Sequence, residues 1–123
     1  ERERQIEKMG QWVKGKSHDT FGPVGPYLVT KDEINDVNNL NMKLDLNGER
    51  MQTGNTKTMI FNVDHIVSYV SRYMSLQPGD IITTGTPPGV GMGMKPQKFL
   101  KNGDELKLSI DELGQQLSKI VAI

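Results

Sequence analysis

Cysteine is absent from this 123-residue chain, which excludes disulfides, thiolate metal sites and cysteine nucleophiles and fits a reducing compartment. A net charge is absent too. Fifteen basic and 15 acidic side chains cancel, so no field of one sign draws nucleic acid or an anionic membrane. No apolar run approaches the length of a membrane span, and the charged opening ERERQIEK is not a signal peptide. These absences predict a soluble, cytoplasmic protein with neither nucleic acid nor membrane as a partner. An initiating methionine is also missing: the chain opens at Glu1 inside a charged segment of helical composition, with no cap residue ahead of it. That is the expectation for a fragment whose upstream part is missing.

What is present fits a single domain over residues 1–123. A chain of this length is expected to bury roughly two-thirds of its unfolded surface and so to have a real core. Glu1 to Lys8 reads as the tail of a longer helix ending near Gly10. Gly15 to Pro26, GKSHDTFGPVGP, holds too many Gly and Pro residues for a helix and reads as an ordered loop leading to a short strand at Tyr27 to Thr30. Met42, Leu44 and Leu46 alternate with Lys43 and Asp45, and Asn47-Gly48 then supplies a type I′ turn before Glu49 to Gln52 returns. Val63, Ile66, Val67, Val70 and Met74 recur at helical spacing, with Asn62 or Asp64 as the cap. Pro78-Gly79-Asp80 and Asn102-Gly103-Asp104 are similar turns that open strands at Ile81 to Thr84 and Glu105 to Ile110, and Asp80 and Asp104 are expected to bond the backbone there. Gly114 lets Leu117 to Ile123 return as a last strand. The fold class is therefore mainly β with one packed α-helix, about six short strands in all, and no βαβ rhythm.

Leu76 to Pro96, LQPGDIITTGTPPGVGMGMKP, stands out because glycine lets backbone come close to a ligand while Pro87 and Pro88 stiffen the chain. Two nucleotide-binding patterns have to be set aside first. Gly10 to Ser17, GQWVKGKS, fits G-x-x-x-x-G-K-[ST], but a charged segment precedes it and a proline-rich one follows, where phosphate cradling needs a strand and then a helix. Gly89, Gly91 and Gly93 give G-x-G-x-G, which is not the dinucleotide fingerprint. His18, beside Asp19, reads as a loop residue and His65 as a packing or capping group. Met92 and Met94 suit flexible packing over a pocket or between subunits.

Three separated blocks occur in order: QWVKGKSHDTFGPVGPYLVT at Gln11 to Thr30, NGERMQTGNTKTMIFNVDHIVSYVSRYMSLQPGDIITTGTPPGVG at Asn47 to Gly91, and FLKNGDELKLSIDELG at Phe99 to Gly114. Together they resemble the fumarylacetoacetate hydrolase family over nearly the whole chain. Within it, GPVGPYLV and GMGMKP look most like bacterial 2,4-diketo-3-deoxy-sugar-acid hydrolases or ureidoglycolate lyases. The resemblance implies a mixed or antiparallel β-sandwich roll of the C-terminal domain type, truncated at its N-terminal side.

The resemblance also implies an enzyme that uses Mg²⁺ or Mn²⁺ to cleave or rearrange 2,4-dioxo or related 2-oxo acids, with a small-molecule oxo acid as partner and a homodimeric assembly. A hard cation chelating the oxo acid would withdraw charge as an enolate develops. The family's acidic metal ligands and its His-Glu dyad lie upstream of the matching region, so no metal ligand is assigned here and no metal is expected on the chain alone. Residue by residue, Arg2 and Gln5 match groups that contact substrate oxygens, and Lys16 matches the catalytic lysine beside the metal. Gly85 and Thr86 match the threonine turn whose hydroxyl and amide face substrate. Two alternatives stay open: a catalytically inactive structural or dimer-forming fragment, and lyase, isomerase or decarboxylase chemistry within the same family. A ligand-binding β module without catalysis is a third.

Overall fold

The computed structural model describes Glu3, Glu7 and residues 10–122. Its centre is one four-stranded antiparallel sheet made of β1 (Asn41–Leu46), β2 (Glu49–Asn55), β3 (Glu105–Ile110) and β4 (Gly114–Lys119), in the order β2-β1-β3-β4. Two hairpins therefore lie side by side, with β1 and β3 as the inner strands. Two helices, α1 (Trp12–Lys16) and α2 (Val63–Val70), lie outside the sheet.

Alternation decides the two faces. Met42, Leu44 and Leu46 of β1 stand opposite Ile110, Leu108 and Leu106 of β3, which makes one face continuously apolar. Lys43 and Asp45 stand opposite Ser109 and Lys107 on the polar face. Arg50 Nε donates to the Asp45 carboxylate there and holds that carboxyl below its usual range. At Asn47-Gly48 both residues take positive φ, 52° and 83°, as a type I′ turn requires. Asn47 also ties the first hairpin to the second: its Oδ1 accepts from Glu105 N at 2.8 Å and its Nδ2 donates to Asp104 Oδ1 at 2.9 Å.

Between Leu44 and Asp45 the β1–β2 register slips. Leu44 faces Gln52 while Asp45 faces Arg50, which leaves Met51 as an extra residue in a β-bulge. Past this point Gln52 and Gly54 share the apolar face, opposite Leu44 and Met42.

Both Gly-Asp turns are built alike, as expected. Asp80 N donates to Gln77 O while Asp80 Oδ2 accepts from Gln77 N at 2.8 Å; Asp104 N donates to Lys101 O while its Oδ2 accepts from Lys101 N at 2.8 Å. The cap of α2 is Asn62, whose Oδ1 accepts from His65 N at 2.8 Å.

Five expectations need correction. Tyr27 to Thr30 forms no strand, and Ile81 to Thr84 finds no ladder partner among the described residues, because an apolar run becomes a strand only where another edge is available to it. The last strand runs over Gly114–Lys119 instead of Leu117 to Ile123, since β3 fixes its partners from Gly114 onward. Helical spacing persists to Met74, yet α2 ends at Val70, where the bonds Arg72 N to Tyr69 O and Tyr73 N to Val70 O tighten the chain into a three-residue turn. A short helix, α1, takes in Gly15 and Lys16, which the composition placed in a loop.

The expected core is also smaller than composition implied. The accessible surface is 9805 Å², against about 6,600 Å² for a compact protein of this mass. Leu40 and Leu46 are the buried apolar side chains among the described residues, and Gln52 is the buried polar one. The physical reason is the layer count: a single sheet covers its apolar face only where a loop or helix crosses it.

Candidate active site

The open part of the apolar face forms a cleft of about 440 Å³. Its floor is Met42, Leu44 and Gln52 of the first hairpin with Leu108, Ile110 and Gln116 of the second. One wall is the segment Pro23 to Tyr27 and the other is Gly85 to Pro87. No aspartate or glutamate lines the cleft among the described residues, so its polar side chains are the amides of Gln52 and Gln116 and the hydroxyls of Tyr27 and Thr86, while Lys43 and Ser109 border it from strand positions that face the other way. Such a lining tolerates an anion where carboxylates would repel one.

Each wall is held by a side chain that needs a glycine beneath it. Tyr27 lies over the start of β4, where a Cβ on Gly114 would stand 2.5 Å from the Tyr27 hydroxyl oxygen. The opposite wall is fastened along β2 at three successive points. A Cβ on Gly54 would stand 2.7 Å from Pro87 Cβ. Gln52 Nε2 donates to Thr86 Oγ1 and to Pro87 O, both at 2.7 Å. The backbone of Gly89 passes so close to the carbonyl oxygen of Met51 that no Cβ fits between them. Since Met51 is the bulge residue, the bulge supplies the carbonyl against which the glycine loop seats.

The residues singled out from sequence divide accordingly. Gly85 and Thr86 line the cleft. Lys16 ends α1, is exposed, and is not among the lining residues. Arg2 and Gln5 lie outside the described residues. Sequence reasoning gave Gln52 no role, although a signal was available: it is a polar residue at a position of β2 that faces the core, and such a group has to find hydrogen-bond partners. The bulge hid that signal by breaking the alternation one residue earlier.

A model of the fumarylacetoacetate hydrolase C-terminal domain matches residues 1–121. The chain belongs to this family. A 2,4-didehydro-3-deoxy-L-rhamnonate hydrolase from Sphingomonas sp. strain SKA58 is 59% identical over 121 residues, which cover 98% of this chain and 42% of that protein. The solved fumarylacetoacetate hydrolase of Exiguobacterium antarcticum superposes with a TM-score of 0.93 at 43% identity, over 99% of this chain and 43% of the other. Maleylpyruvate hydrolase from Sphingobium sp. SYK-6, solved in complex with manganese(II) ion and pyruvate, superposes with a TM-score of 0.77 at 39% identity, over 85% of this chain and 37% of the other. The chain thus spans less than half the length of these family members, and hydrolases are prominent among them.

A divalent cation needs several hard oxygen ligands converging on one point. Among the described residues no three His, Asp or Glu side chains are grouped to hold one.

Proposed function

We propose that this chain is the C-terminal part of the catalytic domain of a divalent-metal-dependent hydrolase that cleaves a C–C bond in a 2,4-dioxo acid of the acylpyruvate type. The observation that carries this reading is the carboxylate-free cleft with Gly85 and Thr86 fixed in one wall, a lining suited to an anionic acid with several carbonyl oxygens. In this reading the metal ligands belong to the rest of the protein, and the metal is Mg²⁺ or Mn²⁺. This chain supplies the apolar floor that excludes water, the Thr86 turn that binds an oxygen of the acid, and Lys16 as a cation that joins the site once the domain is whole. Arg2 and Gln5 contribute further contacts to substrate oxygens.

The test is a protein carrying this chain together with its upstream sequence, assayed with acetylpyruvate, oxaloacetate and ureidoglycolate in Mg²⁺ or Mn²⁺. Hydrolysis of the acylpyruvate is expected, and the 123-residue chain alone should neither turn it over nor bind metal stoichiometrically. Tight stoichiometric Mg²⁺ binding by the short chain would refute the placement of the ligands. Failure of the longer protein on all three acids would sink the hydrolase reading.

A further inference from the structure

We infer that Gln52 is a positioning residue that fixes the Thr86 hydroxyl as a hydrogen-bond donor into the cleft, toward a carbonyl or carboxylate oxygen of the bound acid; the identity of that acid rests on the function proposed above. The argument is one of donors and acceptors. Pro87 O, 2.7 Å from the Gln52 amide, can only accept, so the atom facing it must be the amide nitrogen. That same nitrogen lies 2.7 Å from Thr86 Oγ1. An amide nitrogen does not accept, so Thr86 Oγ1 must accept from it, and the Thr86 proton has to point elsewhere. Among the described residues the acceptor within reach of that proton is Pro87 O at 3.5 Å, at the limit of a useful hydrogen bond. Thr86 is exposed and lines the cleft, so its proton is directed to whatever oxygen occupies that space.

Burial makes the arrangement rigid. Gln52 is 9% exposed, and both of its amide hydrogens are committed to residues that lie 34 and 35 positions further along the chain. Gly54 under Pro87 and Gly89 against Met51 let the wall pack directly on the backbone of β2. A hydroxyl free to rotate would donate or accept according to its neighbour, whereas this one is set before the ligand arrives. A preset donor is what stabilises charge developing on an oxygen.

The experiment uses the full-length protein with acetylpyruvate as substrate. Thr86→Val should lower kcat/KM by about 100-fold, and Gln52→Met by about tenfold, the scale of one misdirected hydrogen bond. The double variant should be no worse than Thr86→Val alone, because Gln52 acts through Thr86. Losses that multiply in the double variant would overturn the inference. Gln52→Glu adds a readout that a purely structural role would not move: its activity should fall as pH rises through the new carboxyl's titration, because an ionised carboxylate turns the Thr86 proton inward. A pH profile parallel to that of the parent protein counts against it.

A second measurement does not depend on turnover. In NMR spectra of the Gln52 side-chain amide, Thr86→Val should shift one proton strongly and leave the other held by Pro87. If neither proton moves, the inference fails whatever the protein catalyses. If the shift is seen but no acylpyruvate is hydrolysed, the positioning of Thr86 stands and the proposed substrate class falls.

Discussion

Gly54 lies directly beneath Pro87: a Cβ on Gly54 would stand 2.7 Å from Pro87 Cβ and 3.0 Å from its Cγ. The contact joins the end of β2 to the turn that carries Thr86, and it requires the absence of a side chain. Gly54→Ala is therefore expected to push the turn outward and weaken both Gln52 hydrogen bonds. Overpacking of this kind costs about 1–3 kcal/mol. Thermal unfolding together with the Gln52 amide signals checks the effect; an unchanged amide spectrum would show that the turn absorbs the methyl without moving.

Gly89 and Gly48 offer a paired comparison, because both take positive φ, 112° and 83°, but only Gly89 is confined. A Cβ at Gly48 meets nothing within 4 Å, so Gly48→Ala should cost only the left-handed backbone penalty of about 1–2 kcal/mol. Gly89→Ala adds a collision with the Met51 carbonyl and should release the loop from β2. Urea denaturation of the two variants ranks them, and the expected order is Gly89→Ala well below Gly48→Ala.

Asp104 accepts from the Asn47 side chain and from the Lys101 backbone N–H, and these bonds lower its carboxyl below the ordinary value. A lowered folded-state value means that the unfolded chain binds the proton more readily. The stabilisation is therefore fully present above the ordinary carboxylate range and is lost as pH falls through the lowered folded value. Asp104→Asn should reduce Tm at pH 7 and make the curve of Tm against pH shallower below about pH 4. Asp45 and Asp32 are lowered as well, by Arg50 and by Thr30, so some slope will persist. An unaltered slope would remove Asp104 from the acid response.

Lys16→Ala in the full-length protein is expected to lower kcat more than it weakens Mg²⁺ affinity, as befits a cation that acts on the substrate and does not hold the metal. Kinetics combined with calorimetric Mg²⁺ titration separate the two. Unchanged turnover would remove Lys16 from the site.

Local signals made the hairpins legible. Met42, Leu44 and Leu46 alternate cleanly, Asn47-Gly48 demands its turn, and Glu105 to Ile110 appears where Asn102-Gly103-Asp104 starts it. The same logic gave a strand to Ile81 to Thr84, whose β-branched residues suit one but find no pairing edge among the described residues. Pairing is a property of the assembled sheet and leaves no mark on four residues. In the candidate site, Thr86 was visible because Thr84 to Pro87 matches the threonine turn of the family that the chain resembles. Gln52 was not, because its partners lie 34 and 35 positions away and a bulge conceals which way it faces.

The bulge at Met51 separates two demands that a regular hairpin would have to meet with the same residues. Without Met51, Arg50 could still face Asp45 and Gln52 could still face Leu44, so the pairing would survive in perfect register. What would be lost is the carbonyl on which Gly89 rests and the sulfur that Lys98 Nζ approaches at 3.8 Å. Met51 is thus dispensable to the strand that contains it and indispensable to a loop nearly 40 residues downstream. A deletion there would produce a well-formed sheet on which the loop at Gly89 has lost its seat, while Gln52 and Gly54 still hold Thr86 and Pro87.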